Sequence, residues 1–202
     1  MNVATIPSLD RAPVLTMPAT EAAFLRAGYA AASVILEYGS GGSTAMAAEM
    51  PGKTVWSVES DKRWMLGLQD WFSRNAPVAE LHLRHANIGP TAKWGFPKDN
   101  SKWARYHRYP LDVWADDGFL PPDTVLIDGC FRVACYLAVL FMTPQPVTVY
   151  FDDYLDRPHY HVIERFGAPA EIVGRMARFE VTPQTIAPRD LAWIMDKFTR
   201  PQ

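Results

Sequence analysis

Short apolar runs alternate with helix-like segments along almost the whole chain. The runs predict strands at 33–37, 53–58, 80–86, 124–127 and 147–151, followed by a closing pair at 170–173 and 177–181. Helical patterns at 20–32, 43–50, 62–74, 131–142, 158–166 and 190–198 separate or follow them. Repeated strand–helix units favour parallel strands with helices on both faces. The alternation therefore predicts an α/β fold, a three-layer α-β-α sandwich around a mostly parallel, doubly wound sheet of about seven strands, with an antiparallel strand near the C-terminus.

The domain organisation follows from what the 202-residue chain lacks. No Gly/Ser-rich linker or change of composition divides it, so a single domain over 1–202 is expected. Residues 1–18 form an expected N-terminal arm, and residues 88–120 a long irregular insertion. The insertion interleaves aromatic with basic residues: Lys93, Trp94, Phe96, Lys98, Lys102, Trp103, Arg105, Tyr106, Arg108, Tyr109 and Trp114. Two interpretations stay open, a substrate lid or a surface subdomain anchored by its aromatic side chains.

Charge and hydropathy limit the partners. The formal net charge of −2 argues against nucleic acid as the main partner, because phosphate binding needs a concentrated cationic surface. The longest apolar run, 133–142, is too short to span a bilayer, so no membrane association is expected. Cys130 and Cys135 fit neither a disulfide framework nor a metal motif and indicate buried thiols in a cytoplasmic protein. The oligomeric state is open, with a homo-oligomer among the alternatives.

A glycine-rich turn follows the first predicted strand and carries most of the functional information. Glu37 directly precedes Tyr38-Gly39-Ser40-Gly41-Gly42-Ser43, and Glu59 ends the next strand, where an acid can hold ribose hydroxyls. The dinucleotide pattern would need a third glycine at Thr44. A carboxylate at Glu37 would repel a pyrophosphate but suits a ligand with an amino group. These features favour S-adenosylmethionine, which carries an ammonium and a sulfonium, over NAD.

These residues resemble those of the class I S-adenosylmethionine-dependent methyltransferases, whose pattern is an acid followed by G-x-G-x-G. The resemblance extends from about residue 20 to the end of the chain, with Ser43 in place of the family's third glycine. It implies a cofactor-binding set of Glu37, Gly39, Ser40, Gly41, Glu59, Asn87 and Asp128. Within this set the resemblance places Glu37 and the glycines at the methionine part, Glu59 at the ribose and Asn87 near the adenine.

An acidic cluster is expected beyond the ends of two adjacent strands. Asp128 follows the fourth strand, and Asp152 and Asp153 follow the fifth. Three carboxylates brought together repel one another unless they are protonated or bind a cation, and a hard cation such as Mg²⁺ suits oxygen ligands. The arrangement is similar to that of metal-assisted O-methyltransferases. The alternative is that Asp128 caps a turn and the pair forms a polar loop.

The leading functional hypothesis is methyl transfer from S-adenosylmethionine to an oxygen, or secondarily a nitrogen, of a small-molecule or sugar-type acceptor. Asp128 is the expected catalytic residue on the acceptor side, with Asp152 or Asp153 assisting. Two alternatives remain: a methyltransferase-like protein that binds S-adenosylmethionine without turnover, and an NAD-linked oxidoreductase.

Overall fold

The fold is built on one seven-stranded sheet in the computed structural model, which describes residues 9–201. The strands are β1 (Val34–Tyr38), β2 (Thr54–Glu59), β3 (Glu80–His85), β4 (Thr124–Ile127), β5 (Val147–Phe151), β6 (Glu171–Val173) and β7 (Met176–Val181). Their order is β3-β2-β1-β4-β5-β7-β6, and β1 to β5 run parallel. β7 lies antiparallel between β5 and β6. The predicted sheet, including its antiparallel strand near the C-terminus, is confirmed.

Helices flank the sheet and fill most connections. The α-helices are α1 (Ala19–Ala31), α2 (Gly42–Ala48), α3 (Lys62–Arg74), α4 (Arg108–Leu111), α5 (Arg132–Met142) and α6 (Leu191–Lys197). Short 3₁₀ helices span Lys93–Gly95, Asn100–Arg105, Asp112–Ala115, Pro158–Phe166 and Pro188–Asp190. None of the helices within residues 9–201 is both long enough and apolar enough to cross a membrane.

Two separate hydrophobic cores lie on opposite faces of the sheet. Successive strand residues point to opposite faces, so Ile35 joins one core and its neighbour Leu36 joins the other. The first core includes Leu25 and Tyr29 of α1, and the second contains most of the apolar α5. The three-layer arrangement follows from this alternation, because both faces of each central strand must be covered.

Several predicted element boundaries differ from the structure. Thr20 does not cap α1: the helix begins at Ala19 after Pro18, whose φ of −58° already suits helix entry, and no side chain caps it. β1 continues through the buried Tyr38, and α2 begins at Gly42 rather than at residue 43 or 44. The predicted helix at 158–166 is a 3₁₀ helix. By contrast α3, β4 and β5 have the predicted bounds.

The insertion at 88–120 is more ordered than a single short helix. It folds into four helical pieces, and its second half is anchored in the core beside α5. Tyr106 and Tyr109 are buried and pack against Phe131, while the indole nitrogen of Trp114 donates to the hydroxyl of Tyr38 at 2.7 Å. The aromatic side chains therefore fix the insertion to the sheet, at the edge where the parallel strands end.

The described part of the N-terminal arm, residues 9–18, lies across the same edge without forming a helix or strand. Leu15 packs so closely over α2 that a Cβ on Gly42 would lie 2.2 Å from its backbone nitrogen. At the start of the described arm, the carbonyl of Leu9 accepts a hydrogen bond from the guanidinium of Arg74 on α3 at 3.0 Å. The prediction for residues 1–8 of the arm, and for residue 202, lies outside the described residues.

Candidate functional site

A cavity of about 610 Å³ opens at the carboxyl ends of the parallel strands. Its walls come from the glycine turn after β1, the end of β2, the residues after β4 and β5, the insertion and the N-terminal arm. Among the lining residues are Leu15, Gly39, Ser40, Gly41, Glu59, Trp64, Trp94, Phe96, Tyr109, Asp128, Cys130, Arg132, Asp153, Arg157 and Arg175. Parallel α/β sheets bind ligands beyond the carboxyl ends of their strands, in the crevice at the point where the strand order reverses.

The glycine turn brings backbone to the cavity surface. Gly39 has a φ of +105°, and a Cβ there would lie 2.8 Å from the backbone nitrogen of Gly129. The turn after β1 and the turn after β4 are therefore packed backbone to backbone, which only glycine allows. Gly41 is different, because a Cβ there would meet no atom of residues 9–201 within 4 Å. The space beside Gly41 is open to a ligand.

Glu37 lies behind this turn and does not line the cavity, unlike the expectation that it contacts the cofactor. The side chain is fully buried on the face covered by α1 and accepts hydrogen bonds from Tyr29 at 2.7 Å, Thr44 at 2.6 Å and Ser57 at 3.1 Å. Thr44 in turn accepts the backbone N–H of Gly41 at 2.9 Å. Burial raises the pKa of Glu37, and the hydroxyl donors oppose that shift. Glu37 thus positions the turn from inside the protein.

Glu59 reaches the cavity from the end of β2. One carboxylate oxygen accepts the N–H of Asp61 at 2.7 Å, and the other accepts the N–H of Ser40 at 3.4 Å. Burial raises the pKa of Glu59, while these backbone donors lower it. The carbonyl of Ser40 accepts the indole N–H of Trp64 at 2.7 Å. Glu59 and the glycine turn are therefore joined directly, on one wall of the cavity.

Asn87 does not reach the cavity, although it was expected near an adenine. Its side chain is exposed and accepts the backbone N–H of Gly89 at 3.2 Å, which closes a local turn. The insertion supplies the cavity wall in this region instead. The hydroxyl of Ser60 donates to the carbonyl of Gly95 at 2.7 Å, and the exposed Trp94 has a φ of +63° that is unusual for a bulky residue.

The three predicted acids do come together. Oxygen atoms of Asp128, Asp152 and Asp153 lie within 4.8 Å of one another. Asp152 is buried, however, and both of its oxygens are bound by the guanidinium of Arg175, at 3.0 and 2.6 Å. Asp152 does not line the cavity, so the structure does not bring it to the place that the expected catalytic role requires.

Arginines also bind the other two acids. Asp153 contacts Arg132 at 3.2 Å, Arg157 at 2.8 Å and Arg175 at 3.1 Å. Asp128 contacts Arg132 at 3.1 Å. Three guanidinium groups therefore balance the charge of three carboxylates, and the repulsion that suggested a cation is already relieved.

This arrangement does not fit the expected Mg²⁺ ion. A divalent cation needs carboxylate oxygens that are free to turn toward it, yet both oxygens of Asp152 and both of Asp153 are held by arginines. Binding a metal here would place it against three positive charges. The prediction that Asp128, Asp152 and Asp153 are metal ligands is therefore not supported. The alternative of a polar loop describes Asp152 and Asp153 better, and the structure adds the salt bridges that hold it.

Asp128 remains accessible within the cluster. It lines the cavity, and 30% of its side chain is exposed. Burial raises the pKa of Asp128 to about 7, against the lowering effect of Arg132, and the neighbouring carboxylates raise it further. A carboxylate with such a pKa can exchange a proton near neutral pH, as a general base must.

Some cavity residues carried no clear functional signal in the sequence. Arg157 stands four residues after Asp153, a spacing that could have indicated their ion pair. Arg175 lies in the turn between β6 and β7, 23 residues from Asp152, and only the strand order brings the two together. Trp64 had the helical spacing of a core residue and Leu15 lay in the predicted N-terminal arm, so the sequence assigned neither of them to a functional site.

The comparisons with known proteins agree with the fold. A methyltransferase-like protein from Silicibacter pomeroyi DSS-3 is 50% identical in sequence, covers 94% of this chain and 99% of its own, and has a TM-score of 0.91. Two solved structures share the fold at lower identity. Cofactor-bound Rv0187 from MTB is 18% identical over 86% of this chain and 85% of its own, with a TM-score of 0.57. The O-methyltransferase TomG from Streptomyces achromogenes, in complex with SAM, is 15% identical over 85% and 82%, with a TM-score of 0.53.

No family model and no curated protein matches the chain. The 50% identity over nearly the full length of both proteins nevertheless establishes a relationship, and the strand order and glycine turn agree with it. The chain belongs to the class I, Rossmann-like family of S-adenosylmethionine-dependent methyltransferases.

Proposed function

We propose that the cavity binds S-adenosylmethionine and that the protein methylates an oxygen of a small-molecule acceptor. The observation that carries the proposal is the open space beside Gly41 in the same cavity as Glu59. S-adenosylmethionine supplies, when bound, a methyl group made electrophilic by its sulfonium. The residues present fit it, because they offer an uncrowded backbone turn and a carboxylate on one wall of the cavity.

Glu59 and the turn form the cofactor side. A carboxylate accepts two hydroxyl hydrogen bonds well, so Glu59 is assigned to the ribose hydroxyls. Burial strengthens such bonds, because little water competes for the carboxylate. Gly39, Ser40 and Gly41 present their backbone to the rest of the ligand, and the buried Glu37 keeps the turn in place.

Asp128 forms the acceptor side. The carboxylate of Asp128 would hold the acceptor hydroxyl and take up its proton, at the end of the cavity where bound S-adenosylmethionine would supply the methyl group. Arg132 fixes the local geometry by donating to the carbonyls of Gly129 at 2.9 Å and Asp152 at 2.6 Å. Catalysis then depends mainly on holding the acceptor in line with the methyl group.

The matched pair Glu59→Gln and Glu49→Gln tests the cofactor site. Glu49 is exposed, directly follows α2, and serves as the control. In calorimetry with S-adenosylhomocysteine, Glu59→Gln should bind roughly ten- to a hundredfold more weakly than wild type, since a hydrogen bond to a charged group contributes about 1.5–3 kcal/mol. Glu49→Gln should bind like wild type. Absence of wild-type binding at millimolar ligand would refute the cofactor assignment.

A chelator tests the absence of a metal role. EDTA should leave S-adenosylhomocysteine affinity and methyl transfer unchanged, because arginines neutralise the acidic cluster. A loss of either that Mg²⁺ restores would contradict this. A protein that binds the cofactor but methylates no member of a broad acceptor panel would instead be a binding protein without turnover.

The remaining expectations are proposals as well. Cys130 and Cys135 are buried free thiols, which supports a reducing, cytoplasmic location. A homo-oligomer stays a prediction, for which light scattering is the measurement.

A further inference from the structure

Two arginines are partly exposed at the acceptor end of the cavity, beside the accessible Asp128. The side chains of Arg157 and Arg175 are 41% and 28% exposed, whereas their carboxylate partners Asp153 and Asp152 are 13% and 1% exposed. Both arginines line the cavity. Asp153 and Asp152 are thus largely covered, while their guanidinium partners stay accessible to a ligand that enters beside Asp128.

These two arginines also keep unused donors. All three guanidinium nitrogens of Arg132 donate to the protein, to backbone carbonyls and to carboxylates. In Arg175, Nη1 has no hydrogen-bond partner among residues 9–201, and the same holds for Nε of Arg157. A guanidinium is planar and always charged, and its paired N–H groups match the oxygens of a carboxylate or phosphate.

We propose that Arg157 and Arg175 bind an anionic group of the methyl acceptor, a carboxylate or a phosphate, while its hydroxyl lies beside Asp128. This inference rests on the proposed function and names the class of its acceptor. Both arginines contact Asp153, at 2.8 and 3.1 Å, and oxygens of Asp153 and Asp128 lie within 4.8 Å. The anionic group and the methylated hydroxyl therefore belong to the same small molecule.

The aromatic wall of the cavity defines the rest of the acceptor. Trp94 and Phe96 line the same cavity, are not buried, and offer ring surfaces to an apolar scaffold. A hydroxylated aromatic acid combines a ring, a hydroxyl and an anionic group at this spacing, and it serves as the probe class.

Three matched probes separate charge from shape: meta-hydroxybenzoate, meta-hydroxyphenyl phosphate and the neutral meta-hydroxybenzamide. Each is titrated into the full chain saturated with S-adenosylhomocysteine. At least one anionic probe should bind about tenfold or more tightly than the amide, as expected for a charge-assisted hydrogen bond. The preferred anion identifies a carboxylate or a phosphate as the natural group. Equal affinities, or no measurable binding by any probe, would overturn the proposal.

Variants assign the preference to the arginines. Arg157→Gln should weaken the preferred anionic probe about tenfold and leave the amide unchanged. Arg157→Lys keeps the charge but loses the planar guanidinium. Its affinity for the anionic probe should lie between those of wild type and Arg157→Gln, and this partial rescue would rule out a folding defect as the cause. Arg189→Gln, at an 88% exposed arginine that does not line the cavity, is the control and should behave like wild type. An unchanged anionic preference in Arg157→Gln would overturn the assignment.

The cofactor titration distinguishes this inference from the proposed function. Failure of S-adenosylhomocysteine to bind refutes the proposed function itself. Normal cofactor binding without an anionic preference refutes only the acceptor site.

Discussion

A methyl group added to the glycine turn should lower ligand affinity at one position and the free energy of unfolding at another, two residues away. At Gly41 a Cβ meets no atom within 4 Å in the described part of the chain, so Gly41→Ala should fold normally. At Gly39 the φ is +105°, and the Cβ would lie 2.8 Å from the backbone nitrogen and 2.9 Å from the Cα of Gly129. These backbone atoms cannot move aside as a flexible side chain could.

The expected magnitudes follow from these distances. For Gly39→Ala the unfavourable φ contributes about 1–3 kcal/mol and the overpacking a similar amount, so the free energy of unfolding should fall by roughly 2–6 kcal/mol. For Gly41→Ala it should change by less than about 1 kcal/mol. The methyl group would instead occupy the space proposed for the cofactor and weaken cofactor binding by roughly 1–3 kcal/mol, or about 5- to 150-fold.

Two assays on the same preparations test the contrast. Urea denaturation gives the free energy of unfolding, and calorimetry with S-adenosylhomocysteine gives the affinity of the folded protein. Gly41→Ala should keep its stability and lose affinity, while Gly39→Ala should lose stability. If Gly41→Ala binds the cofactor like wild type, the open space beside the turn is not the cofactor site and the reasoning fails.

Three further predictions concern the buried charges. Glu37→Gln should lower the free energy of unfolding by about 1–3 kcal/mol, because an amide cannot accept all the hydroxyl hydrogen bonds; an unchanged urea midpoint would contradict this. Arg175→Met leaves the buried Asp152 without its partner and should destabilise the protein by about 3 kcal/mol or more. The double variant with Asp152→Asn should recover much of that loss, and full additivity in thermal denaturation would argue against the pair. The folded protein raises the pKa of the Asp128 carboxyl from its ordinary value near 4 to about 7. Between about pH 4 and pH 7 the unfolded chain has therefore lost this proton while the folded protein still holds it. The stability that the bound proton contributes at low pH is lost over that range. Asp128→Asn should therefore gain stability relative to wild type as pH rises from about 4 to 7, with no further gain above that, and a pH-independent difference in melting temperature would show that the pKa is ordinary.

Local sequence patterns determined the elements of this fold and the position of its site. The bounds of α3 follow from Asp61, which caps it through the backbone N–H groups of Arg63 and Trp64, and from apolar residues at helical spacing. β4 and β5 are apolar runs between turn residues, and their ends place Asp128 and Asp152 at one edge of the sheet. These are local properties, because helical and strand periodicity depend only on near neighbours.

The roles of individual side chains at that edge required the tertiary structure. Glu37 was expected to face the ligand, but α1 covers its side of the sheet and brings Tyr29 to it. Asp152 was expected to hold a metal, but the β6–β7 turn brings Arg175 to both of its oxygens. Whether a carboxylate meets a hydroxyl, an arginine or a ligand depends on which distant elements become neighbours. The sequence therefore determined where the polar residues gather, and only the packed sheet decided which of them remain accessible to a ligand.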